Sequence, residues 1–349
     1  MAERDLIERL DDAVEAILAG RSTGLIGGLA LAEPELATLL MDADDLRALP
    51  DPAFKSKLMA ELFPPMEDEM TTMTADDVKT EYPSIRPYLL VPDADAMIAF
   101  LQETLGAEVV GRYPAPDGRV MHAALRVGDS LIEMGEAMGE YKPRPMALHI
   151  YLDDVDSAYE RALAAGAIST LPITDQAYGD REGGVKDRWG NAWYLATHQE
   201  EVTEEELMQR FGGGGSKPQK QPGVGPRPEG YHTVTPFLHV RGARKMIAFL
   251  GDAFGGTTAH VTDMPDREVA HAAVRIGDSL IELGEAHGES QPMPAAIHLF
   301  VADVDAVYER ALRAGATSVE PPADKPYGER AAFVIDPFEN QWFIATAKS

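Results

Sequence analysis

A ten-residue stretch, GDSLIEMGEA at Gly128–Ala137, constrains this chain more than any other feature, because it occurs twice. It returns 149 residues later as GDSLIELGEA, Gly277–Ala286, with one conservative change. The same offset aligns Tyr82 with Tyr231 and Thr197 with Thr346 without a gap, and roughly half of the paired positions are identical. A repeat this long exceeds any solenoid unit and is the size of a domain. The chain therefore carries one domain twice, with further residues outside the two copies.

Patterning divides each copy again. In the first copy, Ser84 to Val91 reads as a strand and Asp93 precedes a helix that stops at Gly106. Strands are expected near Glu108 to Tyr113, Val120 to Val127 and Ser130 to Met134, separated by the turn signals PAPDG and Gly128-Asp129. After Lys142 to Pro145 the order restarts. A strand over Met146 to Leu152 leads to a helix over Val155 to Ala165, closed by Gly166. Strands then follow near Ser169 to Ile173, Gly183 to Asp187 and Ala192 to Thr197. Each copy is thus two βαβββ units, and the chain has four.

The domain boundaries expected are a helical N-terminal segment over 1–75, a first domain over 81–202, a connection over 203–230 and a second domain over 231–349. Residues 1–65 show three amphipathic periodicities, the third opened by Asp51 and Pro52 in N-cap and first-turn positions. Helices this short must dock on the same chain or on a partner protein. The connection begins with a short helix, Thr203 to Phe211, in capping-box spacing. It continues as the Gly- and Pro-rich tether Gly212 to Pro228.

Composition removes several classes of partner. The net charge of −27 opposes nucleic acid and anionic membrane surfaces alike. No apolar run is long enough to span a bilayer, and MAERDLIERLDD lacks the form of a signal peptide. With no cysteine there is neither a disulfide framework nor thiolate chemistry. These features fit a cytoplasmic protein.

The paired βαβββ units and their landmarks resemble the vicinal oxygen chelate superfamily of glyoxalases, bleomycin-resistance proteins and dioxygenases, and within it the PhnB-like branch. The residues that carry the resemblance are PYLLVPDADAMIAFLQETLGAE, VMHAALRVGDSLIEMGEA, LHIYLDDVDSAYERALAAGA and DQAYGDREGGVKDRWGNAWYLATH, with their counterparts in the second copy. The resemblance implies an α+β fold in which the two units of each domain form an open cup of eight strands. It also implies a divalent metal held by inward side chains from the first, fourth, fifth and eighth strands. Those positions fall on Arg86, Glu133, Ala147 and Tyr194 in the first copy, and on Thr235, Glu282, Ala296 and Phe343 in the second. One carboxylate per copy matches, and a lone carboxylate does not hold a catalytic divalent ion against water.

Histidines offer a rearranged site. His149 and His298 lie two residues beyond the fifth-strand position, on its face of the strand. His122 and His271 lie on the third strand of each copy. Glu133, His149 and His122 form one candidate set, Glu282, His298 and His271 the other. Glu133, His149, Glu282 and His298 are also acid–base candidates. The competing reading is a structural Glu–His hydrogen bond across neighbouring strands. Candidate ligand-binding residues are Arg86, Tyr178, Arg181, Trp193 and Tyr194, with Tyr327, Arg330, Trp342 and Phe343; the two tryptophans suit an apolar wall or a core, and the core is the preferred place for them.

Three functions stay open. One is a metal-free binding protein of bleomycin-resistance type that sequesters a drug or metabolite in an aromatic cup, the reading preferred at this point. A second is a metal-dependent lyase, isomerase or dioxygenase. The third is an interaction scaffold acting through residues 1–65. The duplication further suggests a monomer that contains its own pseudo-dimer.

Overall fold

The computed structural model describes residues 82–347, apart from 140, 212–219, 265–266 and 289–290. The expected N-terminal helices and the first part of the tether, 212–219, lie outside the described residues. From Ile85 onward the four βαβββ units follow in order. The first is β1 (Ile85–Val91), α1 (Ala94–Leu105), β2 (Glu108–Pro114), β3 (Val120–Val127) and β4 (Ser130–Glu136). The second is β5 (Ala147–Tyr151), α2 (Val155–Ala164), β6 (Ile168–Asp175), β7 (Asp180–Lys186) and β8 (Ala192–His198). The connecting helix α3 (Glu204–Phe211) leads to the third unit: β9 (Val234–Val240), α4 (Ala243–Phe254), β10 (Thr257–Met264), β11 (Arg267–Ile276) and β12 (Ser279–Glu285). The fourth is β13 (Ala296–Phe300), α5 (Val304–Arg313), β14 (Thr317–Lys325), β15 (Glu329–Ile335) and β16 (Gln341–Ala347).

Local chemistry sets the element ends. Asp93, Asp154 and Asp303 each accept a hydrogen bond from the backbone N–H three residues on, at 3.0–3.1 Å, and so cap α1, α2 and α5. Gly106 and Gly255 end α1 and α4 at positive φ, where a Cβ is disfavoured. Period two then divides every strand. Leu89, Ile132, Leu148, Trp193, Ile297 and Trp342 enter a common core beneath the helices, while Arg86, Glu133, His149, Tyr194, His298 and Phe343 occupy the alternate face.

The strands form two eight-stranded sheets, and neither is built from one copy. One has the order β14-β15-β16-β13-β1-β4-β3-β2, the other β10-β11-β12-β9-β5-β8-β7-β6. The units fold as expected, but each cup joins one unit of the first copy to one of the second. The joints are antiparallel: Arg86 stands opposite His298 between β1 and β13, and Thr235 opposite His149 between β5 and β9. The helical side keeps units of the same copy together. Arg161 on α2 donates to the carbonyl of Thr104 on α1 at 2.9 Å, and Arg310 on α5 to that of Ala253 on α4 at 3.2 Å.

The repeated GDS turns fasten this exchange. Asp129 accepts from the Thr233 N–H at 2.8 Å and the Ser130 hydroxyl from Val234 N–H at 3.1 Å, at the start of β9. Reciprocally, Asp278 accepts from the Ser84 N–H at 3.0 Å, at the start of β1. Gly128 has φ +58°, and a Cβ there would stand 2.3 Å from the Thr233 hydroxyl. The turn needs glycine for its backbone and for the approach of the other copy.

Candidate functional site

The exchange decides which side chains meet. In the first cup (β1–β4 with β13–β16) Glu133 is buried, and His298 Nδ1 lies 2.8 Å from it. Arg86, also buried, donates to Glu133 at 3.2 Å and stacks 4.2 Å above the Phe300 ring. Burial works to raise the Glu133 carboxyl. The charge and hydrogen bond of His298, with His122 and Arg86, hold it well below the usual range instead. His122 faces Tyr88, and burial lowers its pKa. Tyr88, Phe343 and Phe333 complete an aromatic wall.

In the second cup (β5–β8 with β9–β12) Glu282 is buried between two histidines, His149 Nδ1 at 2.8 Å and His271 Nε2 at 3.2 Å. His271 in turn meets the exposed His260 at 2.8 Å. Thr235 replaces the arginine. Beyond His149 stand two buried acids from β7, Asp180 and Glu182. Asp180 accepts from Tyr151 at 3.0 Å and pairs with His198 at 2.6 Å; Glu182 accepts from Tyr178 at 2.6 Å. Burial opposes protonation of His149, but Glu282, then Glu182 and Asp180, pull its pKa up to about 9. Burial drives His239, bonded to the Tyr194 hydroxyl at 2.9 Å, down to about 4.

Several expectations need correction. Glu133 does not meet His149, nor Glu282 His298; each carboxylate takes the histidine of the other copy, because the sheet joint runs between copies. Trp193 and Trp342 lie on the helix side, donating their indole N–H to Asp187 and Asp336 at 3.0 and 2.9 Å, so they take the preferred core position and drop out as ligand-binding candidates. Arg181 is held by Asp156 and Asp175, and Arg330 by Asp305 and Asp324. Both guanidinium groups are thereby engaged at the protein surface. Tyr178 reaches Glu182, whereas Tyr327 is exposed.

Asp180 and Glu182 escaped sequence reasoning because the strand was expected to begin at Gly183. The signal was present: extending period two back from Gly184 puts both acids on the cup face. Gly179, at φ +99°, makes the turn before them, and a Cβ there would lie 2.2 Å from the Glu200 carbonyl oxygen.

The metal positions implied by the family can now be tested cup by cup. They hold Arg86, Glu133, Ala296 and Phe343 in the first, and Thr235, Glu282, Ala147 and Tyr194 in the second. A buried guanidinium bonded to the one carboxylate excludes a cation from the first set. In the second set the only carboxylate is already bonded to two histidines. Neither set fits a divalent metal.

Two curled sheets with acid–histidine centres and helices on their outer faces define a class of tandem α+β cup proteins. A model of the Glyoxalase/Bleomycin resistance protein/Dioxygenase superfamily matches residues 84–195 and again 231–344. With more than half of its length matched, the chain belongs to that superfamily. Glyoxalase I from Zea mays shares the fold, with a TM-score of 0.52 at 18% identity over 75% of this chain and 91% of that one. A point mutant of the same maize enzyme gives 0.55 at 18% identity, covering 75% of this chain and 94% of that one. An uncharacterized protein of Mycobacterium bovis is 36% identical over 137 residues, 36% of this chain and 90% of the relative. A counterpart in Mycobacterium tuberculosis strain H37Rv matches equally, with 81% of its length covered.

Proposed function

We propose that the protein binds a small molecule in the second cup, and that the first cup is its structural counterpart. One observation carries this reading: Arg86 in the first cup is Thr235 in the second. In the first cup the guanidinium matches the Glu133 charge internally and fills the space over Phe300. In the second, Glu282, Asp180 and Glu182 converge with no guanidinium paired to them among the described residues. Buried acids of this kind favour a ligand that brings positive charge or hydrogen-bond donors. Tyr194 and Phe237, with ring centroids 5.5 Å apart, supply an apolar wall.

This agrees with a binding protein of bleomycin-resistance type taking a drug or metabolite, within the PhnB-like branch. A thermal-shift screen of small aromatic and amine-bearing compounds tests it. Hits should lose their shift in Tyr194→Ala and keep it in Phe343→Ala; the opposite pattern overturns the assignment of the working cup.

A second reading, a metal-dependent lyase, isomerase or dioxygenase, is favoured by one buried atom, His149 Nε2, which has no hydrogen-bond partner among the described residues. Without a metal, the neighbouring acids favour the protonated form of His149. Its Nε2–H then faces the cup as a proton donor, with Glu282 fixing the ring from behind. Because the copies complete each other's sheets, the protein is proposed to act as a monomer; a dimer in light scattering overturns this.

A further inference from the structure

We infer that His149, Asp180 and Glu182 form a site for one divalent first-row metal ion, on β5 and β7 rather than at the four strand positions the family resemblance implies. Each residue offers one ligand atom, and the three atoms lie within 4.8 Å of one another. All three residues are buried, with 7%, 3% and 7% of their surface exposed. Ligands bound at about 2.0–2.2 Å to a tetrahedral ion lie roughly 3.5 Å apart. The step from 4.8 Å to that spacing is within the reach of side-chain rotation.

The histidine supplies the independent sign of a ligand. Its Nε2 is a buried polar atom without a hydrogen-bond partner; the nearest carboxylate oxygen, Glu182 Oε2, is 3.9 Å away. Burying such an atom unsatisfied is unfavourable, and it calls for an occupant. The other nitrogen, Nδ1, is 2.8 Å from Glu282. A carboxylate behind one nitrogen fixes the tautomer and aims the lone pair of the other, the arrangement that metal-bound histidines use.

The acids are oriented in the same way. Tyr151 and His198 hold Asp180, and Tyr178 holds Glu182. An ionised carboxylate has about four acceptor positions, so these bonds leave each acid able to ligate. Every ion pair of Asp180, Glu182 and Glu282 among the described residues is with a histidine. A divalent cation offsets the remaining negative charge. One imidazole and two carboxylates, with open positions for water or an oxygen-bearing ligand, suit Mn²⁺ or Zn²⁺.

The first cup is the internal control. The residues equivalent to His149, Asp180 and Glu182 are His298, Glu329 and Ala331. The third ligand is missing, and Arg86 adds a positive charge opposite His298. The stoichiometry is therefore one ion per chain, in the second cup. The inference deepens the preceding reading by giving the working cup a cation.

The test uses the full chain, stripped with a chelator and titrated with Mn²⁺ and with Zn²⁺. Calorimetry and elemental analysis give affinity and stoichiometry, and thermal unfolding gives stability. One ion per chain and a raised Tm are expected. Asp180→Asn and Glu182→Ala should each weaken binding at least tenfold; alanine already stands at the second position's equivalent, so the strand tolerates it. Glu133→Gln and Glu329→Gln should bind as the parent does. No saturable binding in the parent would assign a water to His149 Nε2 and overturn the site. So would two ions per chain, or undiminished binding in the Asp180→Asn/Glu182→Ala double variant. The ligand screen fails separately from this titration, because a protein that takes the ion but no organic compound refutes only the small-molecule reading.

Discussion

The two cups share a backbone plan and differ in what neutralises their central carboxylate. Glu133 has Arg86 and His298; Glu282 has His149 and His271. A guanidinium is permanently charged and closes the first cup to cations at every pH. Imidazoles can release their protons, and on the proposed reading the second cup exchanges one for a metal ion or a donor-rich ligand. Duplication supplied two equivalent sites. The differences Arg86/Thr235 and Glu182/Ala331 give the first cup an internal guanidinium and the second an extra buried acid.

The largest expected effect comes from breaking the first cup. Arg86→Met leaves Glu133 buried beside His298 without its guanidinium partner and should cost about 3–5 kcal/mol in denaturant unfolding. Thr235→Ala, at the equivalent position, should cost under about 1 kcal/mol. Equal losses would erase the distinction between the cups.

Next in size is a pH effect confined to the second cup. The folded pKa of His149, about 9, lies above the ordinary value of 6.5. Its contribution is therefore complete below pH 6.5 and is lost as pH rises through 9, by a few kcal/mol in the metal-stripped protein. His149→Gln should flatten that slope. His239, at about 4, acts in the opposite sense: the unfolded chain takes the proton first, so stability falls as pH drops from 6.5 through 4. A pH series of urea midpoints on the parent and on His149→Gln separates the two.

Tyr178→Phe removes the hydroxyl that holds Glu182 and should weaken metal binding about tenfold in calorimetry. Tyr327→Phe, in the other cup, should leave it unchanged.

The smallest effect lies at the seam. Asp129→Ala or Asp278→Ala removes hydrogen bonds to the first strand of the other copy and should cost about 1 kcal/mol each by chemical unfolding. Asp129→Ala should cost the more of the two, because Asp129 also pairs with Arg227 at 2.8 Å and His232 at 3.1 Å.

Much of this architecture was legible in the chain. The 149-residue offset gives the duplication, capping aspartates and terminal glycines mark the helices, and period two puts Glu133, His149, Glu282 and His298 on the cup face. These are short-range properties, set by backbone geometry and by the alternation of apolar with polar residues. Asp180 and Glu182 were missed at a strand end, where Gly183 and Gly184 weaken the alternation.

The identity of each acid–base pair was a different kind of question. Both copies offer equivalent β5 and β13 edges, so local sequence cannot choose whether Glu282 meets His149 or His298. That choice depends on which first strand, β1 or β9, docks on which edge. It is made by contacts between residues about 100 to 200 positions apart, from Asp129 to Thr233 and from Ser84 to Asp278. The sequence by itself determined the units, their faces and the chemistry each face carries. Only the tertiary structure decided which faces share a cup, because strand pairing across the joint depends on the packing of the whole assembly and not on any local segment.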